Sequence, residues 1–336
     1  MARAATPRFN ARMERVPLGN SVIEVSRLCL GTMQFGWTAD ETASFAVLDA
    51  YVDAGGNFLD SADVYSRWIK GHVGGESEQV LGRWLKARGN RAAMVIATKV
   101  RGRMWPGPGG EGLNREHIVK SCEFSLRRLG VETIDLYQFH SPDEAVPIDE
   151  SLRAIEELVA SGKVRAVGLS NYTTPQLREA LDAAAPNGLP SPVSLQPHHN
   201  LVHRAEFESS LQALCVERGV AVIPYSPLAK GFLTGKYTQG GPRIESARAN
   251  GIRAYASADG WAVLDVVRSI AAARGVAPAA VALAWQLAQP GIAAPIVGAN
   301  SPEQLADQLP ATALSLSTDE MAALDAVSRP FLHPGA

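Results

Sequence analysis

Residues 58–65 read Phe58-Leu59-Asp60-Ser61-Ala62-Asp63-Val64-Tyr65: a short apolar run with an acid at its end, then a phenol five residues further on. The run has the length of a buried strand, and Ala54-Gly55-Gly56-Asn57 stops what precedes it. If the strand ends near Asp60, the following loop can turn Tyr65 back toward that end. A phenol ionises only near about pH 10, so using it as a proton donor at neutral pH calls for a nearby cation that favours its anion. The next apolar run, Met94-Val95-Ile96-Ala97-Thr98-Lys99, supplies a lysine at the same kind of place. The run after it, Ile134-Asp135-Leu136-Tyr137-Gln138-Phe139-His140, closes on a histidine. Successive apolar runs that each end in an ionisable residue describe strands pointing the same way.

The alternation extends along the chain. Short β-type segments around Gly19-Asn20 predict a hairpin within 16–28. Strands are predicted over 27–32, 58–60, 94–99, 134–140, 164–170, 193–196, 220–225 and 292–297. Helices are predicted between and around them, over 40–52, 76–86, 115–128, 147–160, 174–184, 206–218, 262–273 and 277–288. Strands alternating with helices call for a parallel sheet covered by helices. No G-x-G-x-x-G links a strand to a helix, and the glycine-rich piece 105–112 carries prolines, so a doubly wound nucleotide-binding sheet is set aside. The expectation is a loose N-terminus over 1–14 and one (β/α)8 TIM barrel over 15–332, with an N-terminal β-hairpin and extra C-terminal helices. In such barrels the active site lies at the carboxyl ends of the strands, where Asp60, Lys99 and His140 would converge.

Composition narrows the classes of function. The 336 residues are 46% hydrophobic, enough for a sizeable core. A net charge of −2, with no basic block, argues against a nucleic-acid partner. Cys29, Cys122 and Cys215 are odd in number and far apart, which suits a reducing compartment and gives no disulfide or zinc pattern. Residues 1–20 lack the apolar stretch of a secretory leader, and the long apolar segment 276–299 is cut by Pro290-Gly291, so no membrane span and a cytoplasmic location are expected.

The chemistry requires Tyr65 as acid, Lys99 as cation, Asp60 as the carboxylate that positions Lys99, and His140 as a neutral donor. Each residue taken singly has an ordinary structural reading; four complementary groups at equivalent strand ends do not. Here the chain resembles the aldo-keto reductases, whose acid–base tetrad is Asp, Tyr, Lys and His at these places. The resemblance covers about 16–332 and rests on five motifs in order. These are Leu30-Gly31-Thr32-Met33; Asp60 to Tyr65; Ser125-Leu126 and Arg128-Leu129-Gly130 before the strand closing at His140; Gly162-Lys163-Val164-Arg165 to Ser170-Asn171; and Tyr225-Ser226-Pro227-Leu228 to Gly235-Lys236-Tyr237.

The resemblance implies hydride transfer with NADPH, NADH being possible, between an alcohol and an aldehyde or ketone. It implies that Ser170, Asn171 and Gln196 hold the nicotinamide carboxamide and that Tyr225 stacks on the ring, with Thr32 and Met33 nearby. Ser226, Leu228, Gly231 and Lys236 are implied at the pyrophosphate, and Arg248, Gly298, Ser301, Gln304 and Gln308 around the adenosine. Members with a pronounced NADPH preference often carry Lys and Arg where this chain has Gly298 and Gln304, and Asn where it has Gln308. Selectivity is therefore expected to depend on Arg248.

Trp37, Trp68, Trp105 and Tyr255 fall in loops that could line a pocket, with His72, His199 and His203 adding polarity. The His198, His199 and His203 group invites a metal reading, but no acid or cysteine is read beside it and Pro197 interrupts a helix there; no metal is expected. The leading reading is a carbonyl reductase acting on small aldehydes, ketones or the corresponding alcohols. One alternative is an enzyme of the same chemistry acting on sugars or keto-sugars. Another is a cofactor-sensing regulatory subunit like the potassium-channel β-subunits, which resemble the same fold. Oligomeric state is left open.

Overall fold

A computed structural model describes residues 13–241 and 249–333. Among them, eight strands form one parallel sheet: β3 (Cys29–Gly31), β4 (Phe58–Asp60), β5 (Val95–Val100), β6 (Ile134–Phe139), β7 (Val164–Ser170), β8 (Ser194–Gln196), β9 (Ala221–Val222) and β10 (Ile296–Val297). β10 pairs with β3, so the last strand returns to the first. The remaining seam, between β9 and the segment before β10, is closed by backbone bonds from Val222 N to Gly291 O, Ala293 N to Val222 O and Ile296 N to Pro224 O. The sheet is thus a (β/α)8 barrel.

Helices cover its outside: α1 (Glu41–Asp53), α2 (Glu76–Arg88), α3 (Arg115–Leu129), α4 (Ile148–Ala160), α5 (Thr174–Asn187), α6 (Ala205–Glu208), α7 (Leu211–Arg218), α8 (Ala258–Arg274), α9 (Pro278–Leu287) and α10 (Pro302–Ala306). Their starts follow local chemistry: Asp40, Asn114 and Ser257 each accept an amide of the first turn. α11 (Thr318–Val327) begins on a Ser317/Glu320 capping box and is tied to the barrel by Trp285 Nε1 donating to Asp325 Oδ1 at 3.0 Å. Among the described residues no single helix is long and apolar enough to cross a membrane.

Two differences from the sequence pattern have local causes. The strand expected over 292–297 is regular only at its last two residues, because Pro290 and Pro295 remove amide donors and Gly291 turns the chain at φ 81°. The helix expected over 206–218 breaks into α6 and α7, where Ser210 adopts φ −155°. Of the expected loose N-terminus, residues 1–12 lie outside the described ones, whereas Met13 is buried and its amide donates to Ala54 O.

Strand alternation separates two cores. Residues facing outward, such as Leu30, Leu59, Ile96, Tyr137 and Leu169, join the large core beneath the helices. Those facing inward, Cys29, Phe58, Val95, Ala97, Leu136, Ala166 and Ala221, form a smaller core with Leu18, Ile23 and Val25. The last three come from the antiparallel hairpin β1 (Arg15–Pro17) and β2 (Glu24–Ser26), which plugs the amino-terminal mouth. Its turn needs Gly19 at φ 58°, since a Cβ there would lie 2.2 Å from Val193 O. Further along the inward face the apolar layer ends, and Asp60, Lys99, Gln138, Ser170 and Gln196 follow at the opposite mouth.

Candidate active site

Lys99 is wholly buried, and an ammonium in that position needs acceptors for its three protons. Nζ donates to Asp60 Oδ2 at 2.6 Å, to Ser61 O at 2.8 Å and to Tyr65 Oη at 2.8 Å. Burial pulls the ammonium down, but Asp60 and Tyr65 outweigh it, and Lys99 titrates above the ordinary lysine range. Tyr65 reaches this point because the loop after β4 tracks β5: Ser61 N bonds to Ala97 O and Asp63 N to Lys99 O. Ser66, at φ 72°, then turns the chain away.

Asp60 is held from its other side. Gln138 Nε2 and Gln196 Nε2 donate to Oδ1 at 2.9 and 3.1 Å. Gln138 was singled out by no sequence motif, yet it carries a signal: a polar residue at an inward position of an otherwise apolar strand. His140 stands across the mouth, its ring edge-on to Tyr65 at 6.0 Å between centroids. Burial, reinforced by Lys99 and Arg101, lowers its pKa to about 3, so the imidazole is neutral and keeps one N–H to donate. Asp63 is wholly buried behind the loop, and both its carboxyl oxygens lack a hydrogen-bond partner. Burial, then the nearby Glu78, push its pKa well above the carboxylate range, against a smaller pull from Arg128.

On the β7–β9 side, Ser170 Oγ donates to Gln196 O at 3.0 Å. Asn171, at φ 60°, donates to His140 O at 2.9 Å and accepts from Tyr225 Oη at 2.9 Å. The Tyr225 ring is backed by His198, nearly parallel at 11° and 5.1 Å, and His198 by His203 at 3.7 Å. Beyond them Ser226, Ala229, Lys230 and Gly231 all have positive φ, a bent backbone of the kind that gathers amides around an anion. Leu228 is buried within that bend and Lys236 is exposed beside it. A Cβ at Gly231 would sit 3.4 Å from Lys236 Nζ, so the glycine keeps space next to the ammonium.

Other residues named from the sequence take varied places. Thr32 is buried, its hydroxyl within 3.1 Å of Asp60 O and 2.7 Å of Ser77 Oγ, and Met33 is partly exposed after β3. Past β10, Gly298 O and Gln304 O both accept from Gln308 Nε2, Ser301 Oγ caps α10, and Gln304 Oε1 accepts from Asn300 N. Arg248 lies outside the described residues.

Trp37 and Trp68 do meet beside Tyr65, edge to face at 5.5 Å, with Trp68 half exposed and its ring 6.4 Å from that of Tyr65. Trp105 instead packs on His117, Phe124 and Lys120, and Tyr255 is buried with its hydroxyl 3.2 Å from His198 Nε2. His199 is a core residue between Glu208 and Gln286. His203 lies 3.2 Å from Glu206, so acids do stand beside these histidines, contrary to the sequence reading. Among the described residues no three such groups converge as a metal would need. His72 is partly buried, and its Nδ1 lacks a partner.

A family model described as the aldo/keto reductase family matches residues 27–329. A Bacillus subtilis (strain 168) protein named the uncharacterized oxidoreductase YrpG is 35% identical over 328 residues, covering 96% of this chain and 97% of that one. An Arabidopsis thaliana protein named a probable voltage-gated potassium channel subunit beta is 32% identical over 310 residues, 89% of this chain and 91% of that one. An L-glyceraldehyde 3-phosphate reductase of Escherichia coli O157:H7 is 30% identical over 335 residues, 97% of this chain and 95% of that one.

Proposed function

The chain belongs to the aldo/keto reductase family and is an NAD(P)H-dependent oxidoreductase, and from that premise we propose that it reduces a small aldehyde or ketone with NADPH in the cytoplasm, Tyr65 giving the proton. The observation that carries the reading is the buried Lys99 ammonium, 2.8 Å from the Tyr65 hydroxyl and 2.6 Å from Asp60.

The residues present fit a nicotinamide nucleotide. Gln196 spends its amide nitrogen on Asp60 and Gln138, which leaves Oε1 as the atom to accept a carboxamide N–H. Ser170 and Asn171 border the same place, and the Tyr225 ring, fixed by His198 behind and Asn171 at its hydroxyl, offers a flat apolar surface. The bend at 226–231 and Lys236 suit a pyrophosphate, while Gly298, Ser301, Gln304 and Gln308 bring no cation to the adenosine end. The 2′-phosphate would then fall to Arg248, and discrimination against NADH is weak without it. Thr32 and Met33, at the end of β3, would border the nicotinamide.

When bound, the nicotinamide supplies the hydride. His140, neutral, donates its N–H to the carbonyl oxygen and orients it. Tyr65 passes its proton to that oxygen as negative charge develops there. The phenolate left behind faces the buried Lys99 ammonium, which Asp60 holds in place, so the charge created in the step meets a fixed, opposite one. Asp60 in turn cannot swing away, because Gln138 and Gln196 grip its other oxygen.

The likeness to proteins named as channel β-subunits favours a second reading, cofactor sensing with little turnover. Purified protein mixed with NADPH and a panel of aromatic aldehydes, diketones and keto-sugars, followed by loss of cofactor absorbance, separates the two. Turnover on part of the panel is expected, and its pattern distinguishes plain carbonyls from sugars. Tight NADPH binding with negligible turnover on every compound would overturn the reductase reading in favour of the second.

A further inference from the structure

The strand that carries Lys99 ends at Val100, paired with Phe139, and Val100 O accepts the His140 amide at 2.9 Å. Arg101 is therefore the next residue at the barrel mouth, alongside His140. Its backbone has φ 139°, a conformation that side-chain-bearing residues rarely adopt and that persists where the surroundings or a function maintain it. Its Nε is shut off from solvent and has no acceptor. Among the described residues the guanidinium makes no ion pair, although a half-buried arginine ordinarily finds one. The carboxylate of Asp143, which with Arg101 acts on the Tyr172 hydroxyl, is instead taken by the amides of Leu113 at 2.8 Å and Ala145 at 3.2 Å. A cation held in a strained backbone, partly desolvated and unpaired, beside the candidate proton donors has the chemistry of a waiting anion site.

We propose that Arg101 is an oxyanion subsite of the substrate pocket, binding the carboxylate or phosphate of an aldehyde or ketone whose carbonyl lies at Tyr65 and His140. The inference rests on the reductase reading above and names its substrate class. A charge-assisted bond to a partly desolvated guanidinium favours the anionic substrate by about 10- to 100-fold in kcat/KM.

The test compares 4-carboxybenzaldehyde with 4-methylbenzaldehyde, and glycolaldehyde phosphate with glycolaldehyde, on the full-length protein, on Arg101→Gln and on Arg101→Gly. Glycine adopts the φ of 139° without strain, so the second variant removes the cation while relieving the backbone. The expected result is a preference for the charged member in at least one pair that both variants lose; which pair shows it tells carboxylate from phosphate. Equal kcat/KM within both pairs, or a preference that survives both substitutions, would overturn the subsite. If the unaltered protein turns over none of the four compounds, the reductase reading is judged separately, on the wider carbonyl panel above. Calorimetric titration with benzoate and with inorganic phosphate then decides the subsite: binding that both variants lose upholds it, and no binding, or binding they retain, refutes it.

Discussion

Lys99 matches three protons to three acceptors inside the barrel, so its removal has two separable effects. Lys99→Met leaves the Asp60 carboxylate buried beside two amides and no cation, and is expected to cost about 3–5 kcal/mol of stability. It is also expected to lower kcat by roughly 100-fold or more. Chemical denaturation and steady-state kinetics on the same preparation measure both. Asp63 tests a different consequence of burial. Its folded pKa is raised, by burial first and Glu78 second, so as pH rises past about 4 the unfolded chain gives up a proton that the folded protein keeps, and stability falls. Asp63→Asn should therefore raise Tm more at about pH 8 than at about pH 4; equal gains at both would mean that Asp63 is ionised in the fold. Asp60, Lys99 and His140 were legible in the sequence because each follows an apolar run on the inward parity. Gln138 was half legible by the same parity. Nothing local announces the backbone of Arg101 or the unpartnered state of Asp63, which only neighbouring strands and helices create.

Helices α2 and α3 show how an element is placed by its smallest residue. A Cβ at Gly82 would lie 2.4 Å from Arg128 O, so the glycine is where the two helices come closest. Alanine is a better helix former by about 1 kcal/mol, yet the clash is with backbone and cannot be relieved by a rotamer. Gly82→Ala is expected to lower stability by about 1–3 kcal/mol with an unchanged denaturant m-value. An equal or raised urea midpoint would show that the helices can part freely. Most helices could be read from periodicity and caps, since both are local. The break between α6 and α7, the shortness of β10 and the burial of Tyr255 could not. They depend on Ser210 near Thr174, on paired prolines within a barrel seam, and on His198, which meets Tyr255 from 57 residues away.

The barrel is what makes the site. Asp60 meets Lys99, Gln138 and Gln196 across 39, 78 and 136 residues of sequence, and no shorter piece of the chain brings them together. Closure was readable because eight alternating units without a dinucleotide fingerprint leave few topologies; that the hairpin plugs the amino-terminal mouth was not. The substrate was not readable, since it is set by loop side chains whose direction strand periodicity does not fix. The most direct test of the central claim is the single-turnover rate of NADPH oxidation by Tyr65→Phe at saturating aldehyde, with the NADPH Kd measured alongside. The account predicts a rate lowered by about 100- to 10,000-fold at a nearly unchanged Kd; an unchanged rate would contradict it.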